Sequence, residues 1–102
     1  MIEFNVRELP GLDAVLVEFE IEGGITTPQE AFSVPIPQVR PGKGVVISGR
    51  GPVWFYGRLI HHFHPSRWIG VFDPRLNGAV VVASHWPSVR PGQVIDLTGY
   101  LD

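Results

Sequence analysis

Hydrophobic and polar residues alternate along the first part of this chain, which is the pattern of strands with one buried face. Apolar residues occupy every second position from Val15 to Ile21, with glutamates between the later ones. The pattern predicts strands over Ile2–Leu9 and Ala14–Ile21, and the Pro10–Asp13 segment between them is typical of a hairpin turn. The chain therefore begins with a predicted β-hairpin.

A helical period appears further along the chain. Val45–Ser48 predicts a short buried strand, and the glycines and proline that follow it break the strand. From about Pro52 to His64 the apolar residues recur at the i, i+3, i+4, i+7 spacing of an amphipathic helix, and Pro65 is expected to end it. The residues predicted to face the core are Tyr56, Leu59, Ile60 and Phe63.

The remaining predicted elements are short. Thr27 and Pro28 predict one capped helical turn, and two prolines after it keep the chain extended. Further strands are predicted over Trp68–Asp73, Ala79–Ser84 and Val94–Thr98, with Asn77-Gly78 as a hairpin turn. This order predicts one α+β domain over residues 1–102, with a sheet covered by one principal helix at about residues 52–64.

The glycine-rich turn before the helix has the features of a phosphate site. A helix N-terminus presents unpaired backbone N–H groups and the positive end of the helix dipole, and both attract anions. Arg50 adds a guanidinium that can hold phosphate through two hydrogen bonds. The alternative is that Ser48 caps the helix while Arg50 pairs with a carboxylate. Ser48, Gly49 and Arg50 are therefore candidate ligand-binding residues.

Charge is divided unevenly between the two halves of the chain. Residues 1–30 carry seven acidic side chains against one basic, whereas residues 40–90 carry seven basic against one acidic. The split favours an anionic partner for the basic half, although the two halves could instead pair with each other. Cysteine is absent, so any metal must be held by His, Asp or Glu. No membrane-spanning run or signal-peptide pattern occurs, so a cytoplasmic protein is expected.

Histidines gather at the end of the predicted helix. Helical geometry places His61 and His64 on one flank of the core stripe, away from the third histidine between them. With Asp73 and His85, each at the end of a predicted strand, they form the candidate set for a metal or acid–base site. The alternatives are that Asp73 forms a turn or pairs with Arg75, and that His85 simply ends a strand.

Three segments resemble one known family, and they occur in the family's order. GVVISGRGPVW, HHFHP and FDPRLNGAVVVASH are similar to the small CRISPR-associated ring nucleases of type III systems, the third ring-nuclease type, over about residues 44–85. The resemblance implies a distorted ferredoxin-like fold and a homodimer. It also implies cleavage of cyclic tetra-adenylate, a second messenger, with Mn²⁺ or another divalent transition metal. In this family the ligand lies between two dimers stacked head to tail, which makes a ligand-bridged tetramer.

The residues implied by the resemblance fall into three groups. The ligand-binding group is Ser48, Gly49, Arg50 and Arg75, the catalytic pair is His64 and Asp73, and the metal group is His61, His64, Asp73 and His85. Asn77 stands where the family's turn has a glycine. Two alternative functions stay open. One is a module that binds cyclic oligoadenylate or RNA without cutting it, and the other is a manganese-dependent exonuclease that acts on the 3′ ends of single-stranded RNA.

The length of the predicted helix separates the binding residues from the histidines. A helix of about twelve residues, at ~1.5 Å per residue, spans roughly 18 Å. Ser48 and Arg50 at its start and His64 at its end are therefore not expected to reach the same phosphate. The binding residues of one molecule are expected to meet the histidines of another only when two molecules stack around a ligand.

Overall fold

A six-stranded mixed sheet forms the body of the molecule in the computed structural model, which describes residues 1–101. The strands are β1 (Ile2–Leu9), β2 (Ala14–Ile21), β3 (Gly44–Ser48), β4 (Trp68–Asp73), β5 (Gly78–Ser84) and β6 (Val94–Asp96). They lie side by side in chain order; β2, β3 and β4 are parallel, and the other neighbouring pairs are antiparallel. The helices are α1 (Pro28–Ala31) and α2 (Val53–His62), with a 3-10 turn at Glu22–Gly24.

The predicted α+β class with one principal helix is confirmed, and the arrangement is consistent with a ferredoxin-like fold. Both predicted hairpins form, and Asn77 in the second takes a positive φ of 47°. The last strand ends two residues earlier than predicted, because the Asp96 carboxylate accepts hydrogen bonds from the Thr98 N–H (2.9 Å) and hydroxyl (2.6 Å). No helix within residues 1–101 is long and apolar enough to cross a membrane.

The central strands are buried on both faces, which the alternating pattern of β2 did not indicate. One face packs against α2, and its core comprises Val15, Val17, Phe19, Val45, Ile47 and Ile69 of the sheet with Phe55, Leu59 and Phe63. The other face carries a second core of Leu9, Ala14, Leu16, Val46, Trp68, Ala79, Val81 and Leu97. Leu16, predicted to lie on an open face, is fully buried in this second core, to which Leu97 after β6 also belongs.

Helix α2 is shorter than predicted, and its buried face is rotated slightly from the predicted one. Pro52 precedes the first helical residue, and Phe63 forms the C-cap, so the helix covers residues 53–62 rather than 52–64. The buried residues are Phe55, Leu59 and Phe63, while Tyr56 and Ile60 are only partly buried. Phe55 was missing from the predicted core stripe; its ring packs edge-on against Phe19 with centroids 5.0 Å apart.

The glycine-rich turn between β3 and α2 is held by direct contact with β2. A Cβ atom at Gly49 would lie 2.6 Å from both the Phe19 ring and the Phe19 carbonyl, and one at Gly51 would lie 2.9 Å from the same ring. The Tyr56 hydroxyl donates a hydrogen bond to the Gly49 carbonyl, and burial raises the pKa of this phenol. The turn is therefore fixed from below by Phe19 and from the side by α2.

The two glycines of this region give a matched test of that packing. Gly49→Ala is expected to lower the free energy of unfolding by about 1–3 kcal/mol, because the methyl group must displace the Phe19 ring or backbone. Gly57→Ala is expected to raise it by about 0.5–1 kcal/mol, because Gly57 lies in the exposed interior of α2 with nothing near its Cβ position. Urea unfolding of both variants measures the changes; equal stabilities would contradict the packing described.

Candidate functional site

The parallel strands give the sheet two unlike ends. Strands β3 and β4 run in the same direction with Val45 beside Ile69 and Ile47 beside Val71. Their carboxyl ends therefore lie at one end of the sheet, here called the cradle end, which carries Ser48–Arg50 and Asp73–Arg75. The opposite end, here called the histidine end, carries His64, Arg67, His85 and Trp86.

At the cradle end, the turn after β3 leads directly into α2. Among the described residues, no backbone acceptor takes the N–H groups of Val53 and Trp54, whereas Phe55 N–H donates to the Pro52 carbonyl at 3.0 Å. No side chain caps the helix, so the alternative that Ser48 is its cap is wrong. Arg50 is exposed and forms no ion pair within residues 1–101. The turn therefore presents a free cation beside unpaired N–H donors.

Asp73 also lies at the cradle end, where Arg75 occupies its carboxylate. Its Oδ1 accepts the Arg75 backbone N–H at 2.9 Å, and its Oδ2 accepts from the guanidinium at 3.0 Å. The hydrogen bond from the Arg75 side chain, followed by the one from its backbone, lowers the pKa of Asp73. The alternative reading of Asp73 as a turn former and partner of Arg75 is confirmed.

The histidine end brings together His64 and His85. Their ring centroids are 4.9 Å apart at an interplanar angle of 75°, and both residues are exposed. The His85 Nε2 lies 3.0 Å from the His64 carbonyl oxygen. Because a carbonyl oxygen only accepts, Nε2 carries the proton, and the lone pair of a neutral His85 ring is on Nδ1. A backbone contact thus orients the His85 ring and leaves Nδ1 free to accept a proton or bind a metal.

The other two histidines of the cluster are not part of this pair. His61 lies exposed in the last turn of α2, and its backbone carbonyl accepts the His64 N–H at 3.3 Å. His62 packs edge-on against Phe63 with centroids 4.8 Å apart, so it serves the helix end as a packing residue. The prediction placed His61 and His64 on one flank of a helix, but α2 ends at His62, so His64 lies outside the helix.

The predicted metal set is not assembled within one chain. Asp73 lies at the cradle end, about 17 Å from the histidine end, since five residue steps of β4 at ~3.3 Å separate it from Trp68. Residues 1–101 contain no group of three or more His, Asp or Glu side chains placed to hold one ion. The predicted pairing of His64 with Asp73 is therefore absent inside a molecule, because their strand order puts them at opposite ends.

A cationic cluster beside the histidines was missed from the sequence. Asp13 bridges Lys43 at 2.7 Å and Arg67 at 2.8 Å, and the hydrogen bond from Lys43 is the main cause of its lowered pKa. The Arg67 guanidinium also lies 4.0 Å from the centre of the Trp86 ring. Two features of the sequence could have indicated this cluster: Trp86 directly follows His85, and Asp13 lies in the first hairpin turn. In the structure Asp13 takes a positive φ of 53° there.

The charge split is resolved in both of the ways that the sequence allowed. Part of it is internal, since Glu8 pairs with Arg40 and Asp13 pairs with Lys43 and Arg67. At the cradle end Arg75 is neutralised by Asp73, whereas Arg50 keeps an unpaired charge among the described residues. Arg50 therefore gives the glycine-rich turn an unpaired positive charge; elsewhere within residues 1–101, Arg7, Arg58 and Arg90 also form no ion pair.

Comparison with known proteins identifies the family of this chain. Residues 18–96 match the model of a family described as CRISPR-associated protein (Cas_csx3), a range that includes the cradle end and the histidine end. The chain belongs to this CRISPR-associated family. An uncharacterized protein of Aquifex aeolicus (strain VF5) is 46% identical over 103 residues, which cover 97% of this chain and 91% of that protein.

The pairing of Asp73 with Arg75 gives a test by titration. We expect Arg75→Ala to raise the Asp73 carboxyl pKa toward the ordinary value of about 3.9, because the hydrogen bond from the Arg75 side chain is the largest cause of the lowered pKa. A carboxyl group whose pKa is lower in the folded state than in the unfolded state stabilises the fold at pH values above its unfolded pKa. That stabilisation is lost as the pH falls through the folded pKa. The variant lacks it, so its free energy of unfolding should fall less in acid. Carboxyl ¹³C NMR measures both groups; Asp13 is the control, since its pKa should not move.

Proposed function

We propose that this protein is a metal-dependent phosphodiesterase that opens the ring of cyclic tetra-adenylate and so switches off type III CRISPR signalling. The observation that supports the proposal best is the division of the molecule into two ends. One end has a free guanidinium beside unpaired N–H donors, and the other has a paired set of imidazoles. Membership of the CRISPR-associated family agrees with this proposal.

The cradle end suits the phosphates of a cyclic nucleotide. A ring of four nucleotides has four phosphates and no free end, so recognition depends on cations and backbone N–H groups rather than on a terminus. Ser48, Gly49 and Arg50 would hold the ring at the glycine-rich turn, with Arg75 beside them once it shares its guanidinium between Asp73 and phosphate. Fixing of the turn by Phe19 and Tyr56 reduces the entropy lost when the ligand binds.

The histidine end suits proton transfer. Cleavage of the ring requires a nucleophile, either the ribose 2′-OH or a water, to lose a proton while the 5′ oxygen leaves phosphorus and gains one. His64 would exchange this proton, since an imidazole can both accept and donate one. His85 would lie beside it with its ring orientation fixed by the His64 carbonyl.

The two ends would act on one ligand only across two molecules. In head-to-tail stacking, His64 and His85 of one molecule face the cradle end of the next, where Asp73 lies. His85 and Asp73 would then supply imidazole and carboxylate ligands to one Mn²⁺ ion, with His61 close enough along the chain to contribute, and His64 would keep its lone pair for proton transfer. The ion would offset negative charge on the phosphate, and Asp73 would first have to release Arg75.

A module that binds the ring without cutting it is the second candidate. Two observations favour it: Arg75 occupies the carboxylate of Asp73, and a single chain gathers no three-residue metal set within residues 1–101. Such a module would bind the ring at the cradle end and leave it intact with or without Mn²⁺. A third possibility is an exonuclease that acts on RNA 3′ ends. Comparing the turnover of linear oligoadenylate with that of the ring distinguishes it from the ring nuclease.

Substitution of single histidines tests the catalytic proposal. With cyclic tetra-adenylate and Mn²⁺, the unmodified protein is expected to give linear products, and His64→Ala is expected to lower the turnover by about 100-fold or more. Binding of the ring should change far less, because His64 is remote from Arg50. His62→Ala is the matched control and should keep full turnover, since His62 packs on Phe63. An intact ring after prolonged incubation of the unmodified protein would favour the binding module.

Mixing two inactive variants tests whether the site is shared between molecules. Arg50→Ala lacks the cradle and His64→Ala lacks the proton-transfer group, so each alone should be nearly inactive. An equal mixture should recover about a quarter of the unmodified turnover, because random head-to-tail contacts then join an intact cradle to an intact histidine end. Absence of recovery, with both variants folded, would show that one molecule supplies the whole site.

A further inference from the structure

A second feature of the cradle end lies beside Arg50. An open cavity of about 330 Å³ is lined by the side chains of Ile25, Arg50 and Trp54 and by the residues next to them. Ile25 is 80% exposed and Trp54 is 37% exposed, so a large apolar surface meets water here. No acidic side chain lines the cavity, and Arg50 gives it a positive charge.

The Trp54 ring is supported from behind. It stacks with the Phe32 ring at a centroid distance of 6.1 Å and an interplanar angle of 25°. The Arg58 guanidinium lies 5.7 Å from the centre of the Phe32 ring and donates a hydrogen bond to the Ala31 carbonyl. These contacts join α1 to α2 and pack the Phe32 ring against the Trp54 ring, which lines the cavity.

We propose that Ile25 and Trp54 form a nucleobase-binding surface and that an adenine of the ligand stacks there while its phosphate contacts Arg50. An aromatic plane beside an unpaired cation is the combination that binds single-stranded nucleotides, because the π-face takes the base and the guanidinium takes the backbone. The identity of the ligand rests on the proposed function. The stacking surface itself rests on the exposure and the positive charge of this cavity.

The exposed apolar surface of Ile25 and Trp54 is energetically unfavourable in the free protein. Ile25 and Trp54 expose apolar surface at the same cavity, and contiguous exposed apolar surface is typical of binding sites. A nucleobase would cover both while the phosphate neutralises Arg50. A second copy of the chain would also cover the apolar surface, but the seven residues lining this cavity offer no carboxylate to pair with Arg50 of that copy.

Binding measurements without metal test the surface apart from cleavage. For cyclic tetra-adenylate, Trp54→Ala should weaken binding by about 5- to 100-fold, the range expected for loss of one base–aromatic stack. Trp54→Phe should restore most of the affinity, because a phenyl ring still offers a π-face. Val94→Ala, which removes an exposed apolar side chain from β6, is the matched control and should bind as the unmodified protein does.

A ring of four abasic ribose phosphates supplies the decisive comparison. The abasic ring should bind the unmodified protein and Trp54→Ala with the same affinity, because it has no base to stack. A lower stability of the folded variant does not change this expectation. If Trp54→Ala binds cyclic tetra-adenylate as tightly as the unmodified protein does, the stacking surface is overturned and the proposed function stands. The same holds if the only effect of the substitution is a change in the mass of the free protein, measured by light scattering. If the unmodified protein does not bind the ring, both proposals are overturned.

Discussion

The contact between the Gly49–Gly51 backbone and the Phe19 ring determines the geometry of the cradle end. Any side chain at Gly49 would overlap this ring, so the chain can leave β3 and enter α2 only along the surface of β2. The direction of α2 follows from that path, and the Tyr56–Gly49 hydrogen bond locks it. Arg50, the unpaired N–H groups and Trp54 all lie on the segment that this close packing contact fixes.

The direction of the parallel strands is the second constraint. Because β3 and β4 run the same way, the turn after each lies at one end of the sheet, and the segments before them lie at the other. The two ends then use charge in opposite ways. Asp13 pairs with both Lys43 and Arg67 at the histidine end, whereas Arg50 at the cradle end has no carboxylate partner within residues 1–101. The guanidinium at the cradle end is therefore open to an anion, while the two cations at the histidine end share one carboxylate.

The sequence predicted the elements well, because local signals determine them. Proline and glycine positions marked the turns, and the hydrophobic periods distinguished the strands from α2. Burial on the second face of the sheet was not predictable, since Leu16 is covered by residues far along the chain. The sequence named candidate residues one by one, but it did not show which of them lie at the same end of the sheet. Asp73 and His64 lie close in sequence, yet β4 carries the chain from one end of the sheet to the other between them.

Strand order has a consequence for how the molecule folds. Every strand pairs only with its neighbours in sequence, so most of the sheet is made of contacts between nearby segments. Closing such contacts costs little chain entropy, and topologies of this kind fold quickly. The exceptions are the parallel pairings of β2 with β3 and of β3 with β4, which must close the crossovers that contain α1 and α2. We expect closure of these two crossovers to limit the folding rate, with the two hairpins forming first on either side of them.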